Sequence, residues 1–185
     1  MDDIDLLESV LDKDQALIEG VGPDDLSRAT ACPDYDVRAL VAHQTGWLQV
    51  FAAVAQAREA TSDPGQYAGT DPASDFRAAA EEVVGGWREH GVDREVSMTG
   101  AGLPGQMVLD MTLMEFVTHG CDLALATDQP VPFTDDELET TLDKARTTLP
   151  EEYRGDGKPF GDAVEVPQDA SPVDRLLGFM GRSRR

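Results

Sequence analysis

Leu103–Gln129 reads LPGQMVLDMTLMEFVTHGCDLALATDQ, the longest mostly apolar stretch of the chain. Its hydrophobic residues recur at helical rather than alternating spacing, which predicts a helix from about Gln106 to Thr127. Toward the C-terminus, Thr134-Asp135-Asp136-Glu137 has the form of a capping box and opens a short fifth helix ending before Pro150. Ser171-Pro172-Val173-Asp174 starts a last turn or two carrying Leu176, Leu177 and Phe179, and the tail GRSRR is expected to be exposed and frayed. Toward the N-terminus, Val92–Gly105 suggests a short extended piece and a turn. Before it, Asp71-Pro72 is an N-cap with proline at the first helical position, beginning a third helix that runs to about Glu89.

A loop over Thr61–Thr70 separates that helix from the second, which should begin near Asp34 or Asp36 and run to about Ala60. Its apolar face is Val37, Leu40, Val41, Leu48 and Phe51. A loop rich in Gly, Pro and Asp covers Gly22–Asp34, and the first helix spans Ile4–Ile18, with Gly20 as its stop. Strand signals are sparse. The expectation is an all-α four-helix bundle with a long connection between the third and fourth helices. Everything after Asp128 is expected to pack on its outside, and residues 1–185 to form one domain.

Composition excludes several functions. Lys and Arg total 15 against 36 Asp and Glu, a formal charge of −21, which disfavours nucleic acid and anionic membrane as partners. With 41% hydrophobic residues the chain has ample material for a core, so disorder throughout is not expected. No stretch approaches the 18 or so apolar residues of a membrane span. The acidic start, MDDIDLLESVLDKD, does not read as a signal peptide, and a cytoplasmic location is expected. Cys32 and Cys121 have no zinc-finger spacing and are expected to be buried thiols without a chemical role.

The chain has three histidines. His90, in the last turn of the third helix, complements the helix dipole and is expected to face solvent. Glu115 and His119 are four apart and share one helical face with Val108, Met111 and Ala126, with Asp122 a turn beyond. Either they form an ion pair on a partly solvated face, or they contribute to a site. His43 falls at the edge of the apolar face of the second helix, where a core histidine with a hydrogen-bonded neighbour is the simpler reading. In a bundle, however, residues from two facing helices converge in the core, and two imidazoles with one carboxylate suit zinc with a coordination position left open.

Four stretches carry a resemblance. They are the opening helix, TACPDYDVRALVAHQTGW (Thr30–Trp47), the stretch quoted first, and VEVPQDASPVDRLLGFMGR (Val164–Arg182). The chain resembles the DinB/YfiT-like metalloproteins, and within them proteins similar to the N-terminal domain of mycothiol-dependent maleylpyruvate isomerase. The combination of DVRxLVxH with ExxxHGxDLA carries the specificity. The resemblance implies a divalent metal, zinc first and nickel as the alternative, held by His43, Glu115 and His119, with Asp122 behind them as a supporting residue. It implies that a low-molecular-weight thiol such as mycothiol is activated for transfer to, or isomerisation of, a small electrophile. Trp47, Phe51, Met111 and Met114 are candidates for apolar walls or for plain core packing. Two departures stand out: Cys121 takes the place of a tryptophan usual in the family, and the residues after Thr134 are too few for the isomerase's further C-terminal domain. A metal-dependent hydrolase and a non-catalytic binding bundle are the alternative functions, and a homodimer is compatible with a bundle of this size.

Overall fold

The computed structural model describes residues 2–32, 35–60, 63–98, 100–155, 158, 160–167 and 169–182. In chain order the elements are α1 (Asp3–Glu19), α2 (Val37–Ala55), α3 (Pro72–His90), β1 (Glu95–Met98), β2 (Ala101–Pro104), α4 (Gly105–Ala126), α5 (Asp135–Thr148) and α6 (Pro172–Phe179). The fold is all-α apart from the small antiparallel hairpin β1–β2, which pairs Glu95 with Pro104 and Met98 with Ala101. It forms the extended piece and turn between the third and fourth helices. A second connection of similar length, residues 56–71, joins α2 to α3.

Helices α1–α4 form a four-membered ring in which α1 and α2 each pack on both α3 and α4. Ion pairs Arg77–Glu19 and Arg88–Glu8 run α1 and α3 antiparallel. Gln106 donates to Asp3 at one end of the α1–α4 contact, and Gly120 meets Asp14 toward the other, so these two helices run parallel. The interior is filled by Leu7, Leu11, Leu40, Leu48, Phe76, Trp87, Leu109, Leu113 and Phe116, all buried. Truncating one of the aromatics to alanine typically costs about 3–5 kcal/mol. Helix α5 packs on α4 and α6 on α5, so both lie outside the ring. Among the described residues no helix is long and apolar enough to cross a membrane.

Helix starts follow the local signals. Asp2, Asp36, Asp71, Thr134 and Ser171 each accept a first-turn backbone N–H, and Thr134 with Glu137 closes the expected capping box. Asp34, the other candidate start of α2, lies outside the described residues. Glu137 also receives Lys13 at 2.5 Å and Ser9 at 2.9 Å, which ties α5 to α1.

Helix α2 stops at Ala55, five residues short of the Ala60 expected from periodicity. The cause lies elsewhere in the chain. Arg94, before the hairpin, donates from Nη2 to the carbonyls of Ala55 (2.7 Å) and Val54 (3.1 Å), the latter also accepting from Ala57 N–H, and so caps the helix end. Ala57 then turns left-handed at φ 53°, while Arg58 N–H reaches back to Ala53 O at 2.8 Å. The tail expectation also needs correction: Arg182 is nearly buried, its side chain 12% exposed. Residues 183–185 lie outside the described ones. Cys121 is buried as expected, whereas Cys32 is only half-buried.

A left-handed alanine is strained where glycine is not. Ala57→Gly should therefore raise unfolding free energy by roughly 0.5–1 kcal/mol in urea titration, despite glycine's greater unfolded-state entropy. A loss of stability would show that the α2 terminus is set differently.

Candidate metal centre

His43, Glu115 and His119 meet between α2 and α4. The loop before α2 is tied to the helix's first turn, since the N–H groups of Val37 and Arg38 donate to the carbonyls of Arg28 and Leu26. Asp36 accepts from Ala39 N–H at 2.8 Å. His43 is then two turns into a helix whose starting direction is fixed. On α4, the four-residue spacing stacks Glu115 and His119 on one face, as expected. Glu115 Oε1 lies 2.9 Å from His43 Nε2 and 3.5 Å from His119 Nε2. One ligand-capable atom from each residue falls within 4.8 Å of the other two. The structure thus brings together the three residues singled out from the sequence.

The far side of each ring is held as well. His119 Nδ1 lies 3.1 Å from Asp122 Oδ2. A carboxylate only accepts, so Nδ1 carries a proton, and release of the ring's other proton leaves the Nε2 lone pair facing Glu115. His43 Nε2 donates to Glu115 Oε1 at 2.9 Å, and its Nδ1 lies 3.0 Å from the Tyr35 hydroxyl, which can donate or accept and so would also suit the tautomer that frees Nε2. Tyr35 itself is placed by Thr30, whose hydroxyl donates to the Tyr35 carbonyl at 2.8 Å. Metal-binding histidines ordinarily have such partners on the second nitrogen.

The three side chains are chemically suited to a divalent cation. Two imidazoles and a carboxylate form a common three-ligand zinc set, and imidazole also suits nickel. With metal–ligand bonds near 2 Å, ligand atoms on a tetrahedron stand about 3.3 Å apart. The two separations to Glu115 Oε1, 2.9 and 3.5 Å, bracket that value. Burial pushes the Glu115 carboxyl up, but the charges and hydrogen bonding of His119 and His43, with Arg182 behind, hold it below its ordinary range. His43 and Glu115 retain slight exposure, 16% and 18% of their side chains, which leaves a path from solvent.

The apolar neighbours divide. Trp47 packs its ring 6.4 Å from that of His43 and 5.8 Å from that of Phe51, and both Trp47 and Met111 are half-buried. Phe51 and Met114 are buried in the core. His90 is exposed at the end of α3, as expected.

Sequence reasoning missed Tyr35, Arg182 and Asp14. Tyr35 precedes α2 in a loop, where no periodicity marks it. Arg182 reaches Asp122 from a segment 60 residues away. Asp14 sits among the buried leucines of α1, a carboxyl at the centre of an apolar stripe, and that interruption was the available signal. Neither of its oxygens has a hydrogen-bond partner among the described residues. Its side chain occupies the space a Cβ on Gly120 would need: a methyl there would stand 2.1 Å from Asp14 Oδ1 and 2.6 Å from the Phe133 ring. Glycine beside His119 is what lets α1 approach α4 so closely. Burial pushes the Asp14 carboxyl well above the usual range, and the charge of Glu115 adds to the effect.

Residues 8–124 match the family model described as the mycothiol maleylpyruvate isomerase N-terminal domain. Two curated proteins of Mycobacterium tuberculosis are similar to the chain. They are uncharacterized protein MT0763 of strain CDC 1551 / Oshkosh and uncharacterized protein Rv0738 of strain ATCC 25618 / H37Rv. Each is 29% identical over 171 residues, covering 92% of this chain and 92% of the relative. No solved structure matches.

Asp14 generates a pH-dependent prediction. A carboxyl whose pKa is raised by folding binds a proton in the native state that the unfolded chain has already released near neutrality. Native stability therefore falls as pH rises from the unfolded value toward the folded one, and levels off above it. Asp14→Asn cannot ionise, so it should be more stable than the parent at pH 7–8, by at least about 1 kcal/mol. The advantage should shrink as pH approaches 4, followed by denaturant titration at each pH. An advantage independent of pH would mean that folding does not shift the Asp14 carboxyl.

Proposed function

The chain belongs to the mycothiol maleylpyruvate isomerase N-terminal domain family, and from that premise we propose that it is a divalent-metal enzyme of thiol chemistry. In this reading His43, Glu115 and His119 hold the cation, zinc before nickel. A low-molecular-weight thiol such as mycothiol is joined to a small electrophile, or assists its isomerisation. The observation that carries the reading is the convergence of three ligand atoms whose imidazoles are already oriented from behind.

When bound, the cation would supply Lewis acidity, favouring the thiolate form of a thiol at neutral pH. The chain's own residues do the rest. Asp122 holds His119 in the Nδ1-protonated tautomer, keeping the Nε2 lone pair available. Tyr35 steadies His43 while accepting either proton arrangement. Trp47, half-buried beside His43, gives the approach an apolar side against which the carbon skeleton of a small electrophile can rest. His43, Glu115 and His119 are one ligand fewer than a structural zinc site uses, so a cation held by them would remain open to a thiol. The charge of −21 supports cation uptake from solution and opposes an anionic substrate until the cation offsets it locally.

Protein purified without a tag or chelator should carry about one divalent ion per chain, measured by elemental analysis. At a hundredfold excess over Kd, added zinc should stabilise the metal-free form by about 2.7 kcal/mol. His43→Ala and Glu115→Gln should each abolish stoichiometric binding. If His43→Ala retains full stoichiometry, the ligand assignment is wrong. Thiol-dependent consumption of a generic electrophile such as an activated alkene should appear only with metal present. Metal-dependent turnover without thiol would favour a hydrolase instead.

A further inference from the structure

We infer that Arg182 is a positioning residue of the His43–Glu115–His119 cluster, holding Asp122, and through it His119, in place from the C-terminal end of α6. The inference rests on the metal reading above and assigns part of the site's affinity to a segment beyond the matched family region, residues 8–124.

Asp122 is wholly buried, and among the described residues only one of its oxygens is hydrogen-bonded. Oδ2 lies 3.1 Å from His119 Nδ1 and accepts from Arg182 Nε and Nη2, both at 3.3 Å, whereas Oδ1 has no hydrogen-bond partner among the described residues. A buried carboxylate needs a countercharge, and the permanently charged guanidinium of Arg182 supplies one at 3.3 Å. Two nitrogens of a planar fork on one oxygen fix where that oxygen sits. The same oxygen determines which way the His119 ring faces. Arg182 cannot itself bind a cation, so any influence on the metal passes through Asp122.

The guanidinium is delivered by a rigid device. Helix α6 ends in a Schellman turn: Arg182 N–H reaches Leu177 O at 2.8 Å and Gly181 N–H reaches Gly178 O at 3.0 Å. Gly181 takes the left-handed φ of 79° that the turn requires. Arg182 Nη1 then donates to Met180 O at 2.7 Å, folding the side chain back over its own turn. Helix α6 is anchored independently of the site. Leu176 and Leu177 are buried, Arg154 donates to Phe179 O at 2.8 Å and Val164 N–H donates to Gly178 O at 2.8 Å, whereas the part-exposed Arg175–Glu139 pair adds little to this hold. Arg182 is thus aimed by the end of a packed helix, where the sequence alone suggested a loose tail.

The test uses the full chain and two readouts: zinc affinity by competition with a chromogenic chelator, and the visible spectrum of the cobalt-substituted protein, which reports ligand geometry. Arg182→Met should weaken zinc binding by about tenfold or more, in the range usual for residues behind metal ligands, and should alter the cobalt bands. Arg182→Lys should recover part of the affinity, because charge returns without the two-point hold. Arg175→Met removes an ion pair of the same helix away from the site and should leave both readouts unchanged. On an Asp122→Asn background, Arg182→Met should cost nothing further. The inference is overturned if Arg182→Met matches the parent in affinity and spectrum, if Arg175→Met reproduces its loss, or if the Asp122 and Arg182 losses simply add. Failure of the parent chain to bind zinc would overturn the metal reading and this inference together. Normal parental binding with an indifferent Arg182→Met would overturn this inference alone.

Discussion

A single carboxylate oxygen, Glu115 Oε1, stands within 3.5 Å of two imidazole nitrogens that come from different helices. That juxtaposition constrains much of the molecule. Three ionisable groups in the wall of an apolar bundle are costly unless their charges and lone pairs are mutually satisfied. The surroundings show how this is done: a phenol behind one imidazole, a carboxylate behind the other, and a guanidinium behind that carboxylate. Each layer comes from a different segment, so the N-terminal loop of α2, the middle of α4 and the end of α6 must all be correctly packed for the cluster to hold its shape.

Two features of the ring serve this arrangement. Gly120 removes the side chain next to His119, so α1 packs against α4 with Asp14 filling the gap. Arg94 stops α2 five residues early by occupying its last carbonyls, and also lies over the Trp87 ring at 5.2 Å, joining the hairpin to the core. The acidic exterior adds a field that concentrates cations around the molecule. A buried cluster rich in donor atoms therefore sits inside a surface that favours its proposed occupant.

How far the sequence could be read depended on whether the deciding interaction was local. Asp36, Asp71 and Thr134 start their helices through bonds to residues three positions on, and the same three-residue step is visible in the sequence. Glu115, His119 and Asp122 share a face because of helical periodicity alone. The end of α2 was not legible, because Arg94, 39 residues beyond Ala55, terminates it. Tyr35 and Arg182 were not legible as site residues for the same reason. The first depends on how a loop folds against α2, the second on a helix packed on the outside of the ring.

By itself, the sequence determined an all-α bundle, the starts of its helices and three residues that could share a cation. Periodicity, capping and side-chain chemistry act over a few residues and are written in the order of the chain. Tertiary structure alone decided that His43 faces Glu115, that Asp122 leans on Arg182, and that Asp14 is sealed against Gly120. Those contacts join residues dozens of positions apart, and their geometry exists only once the helices have packed.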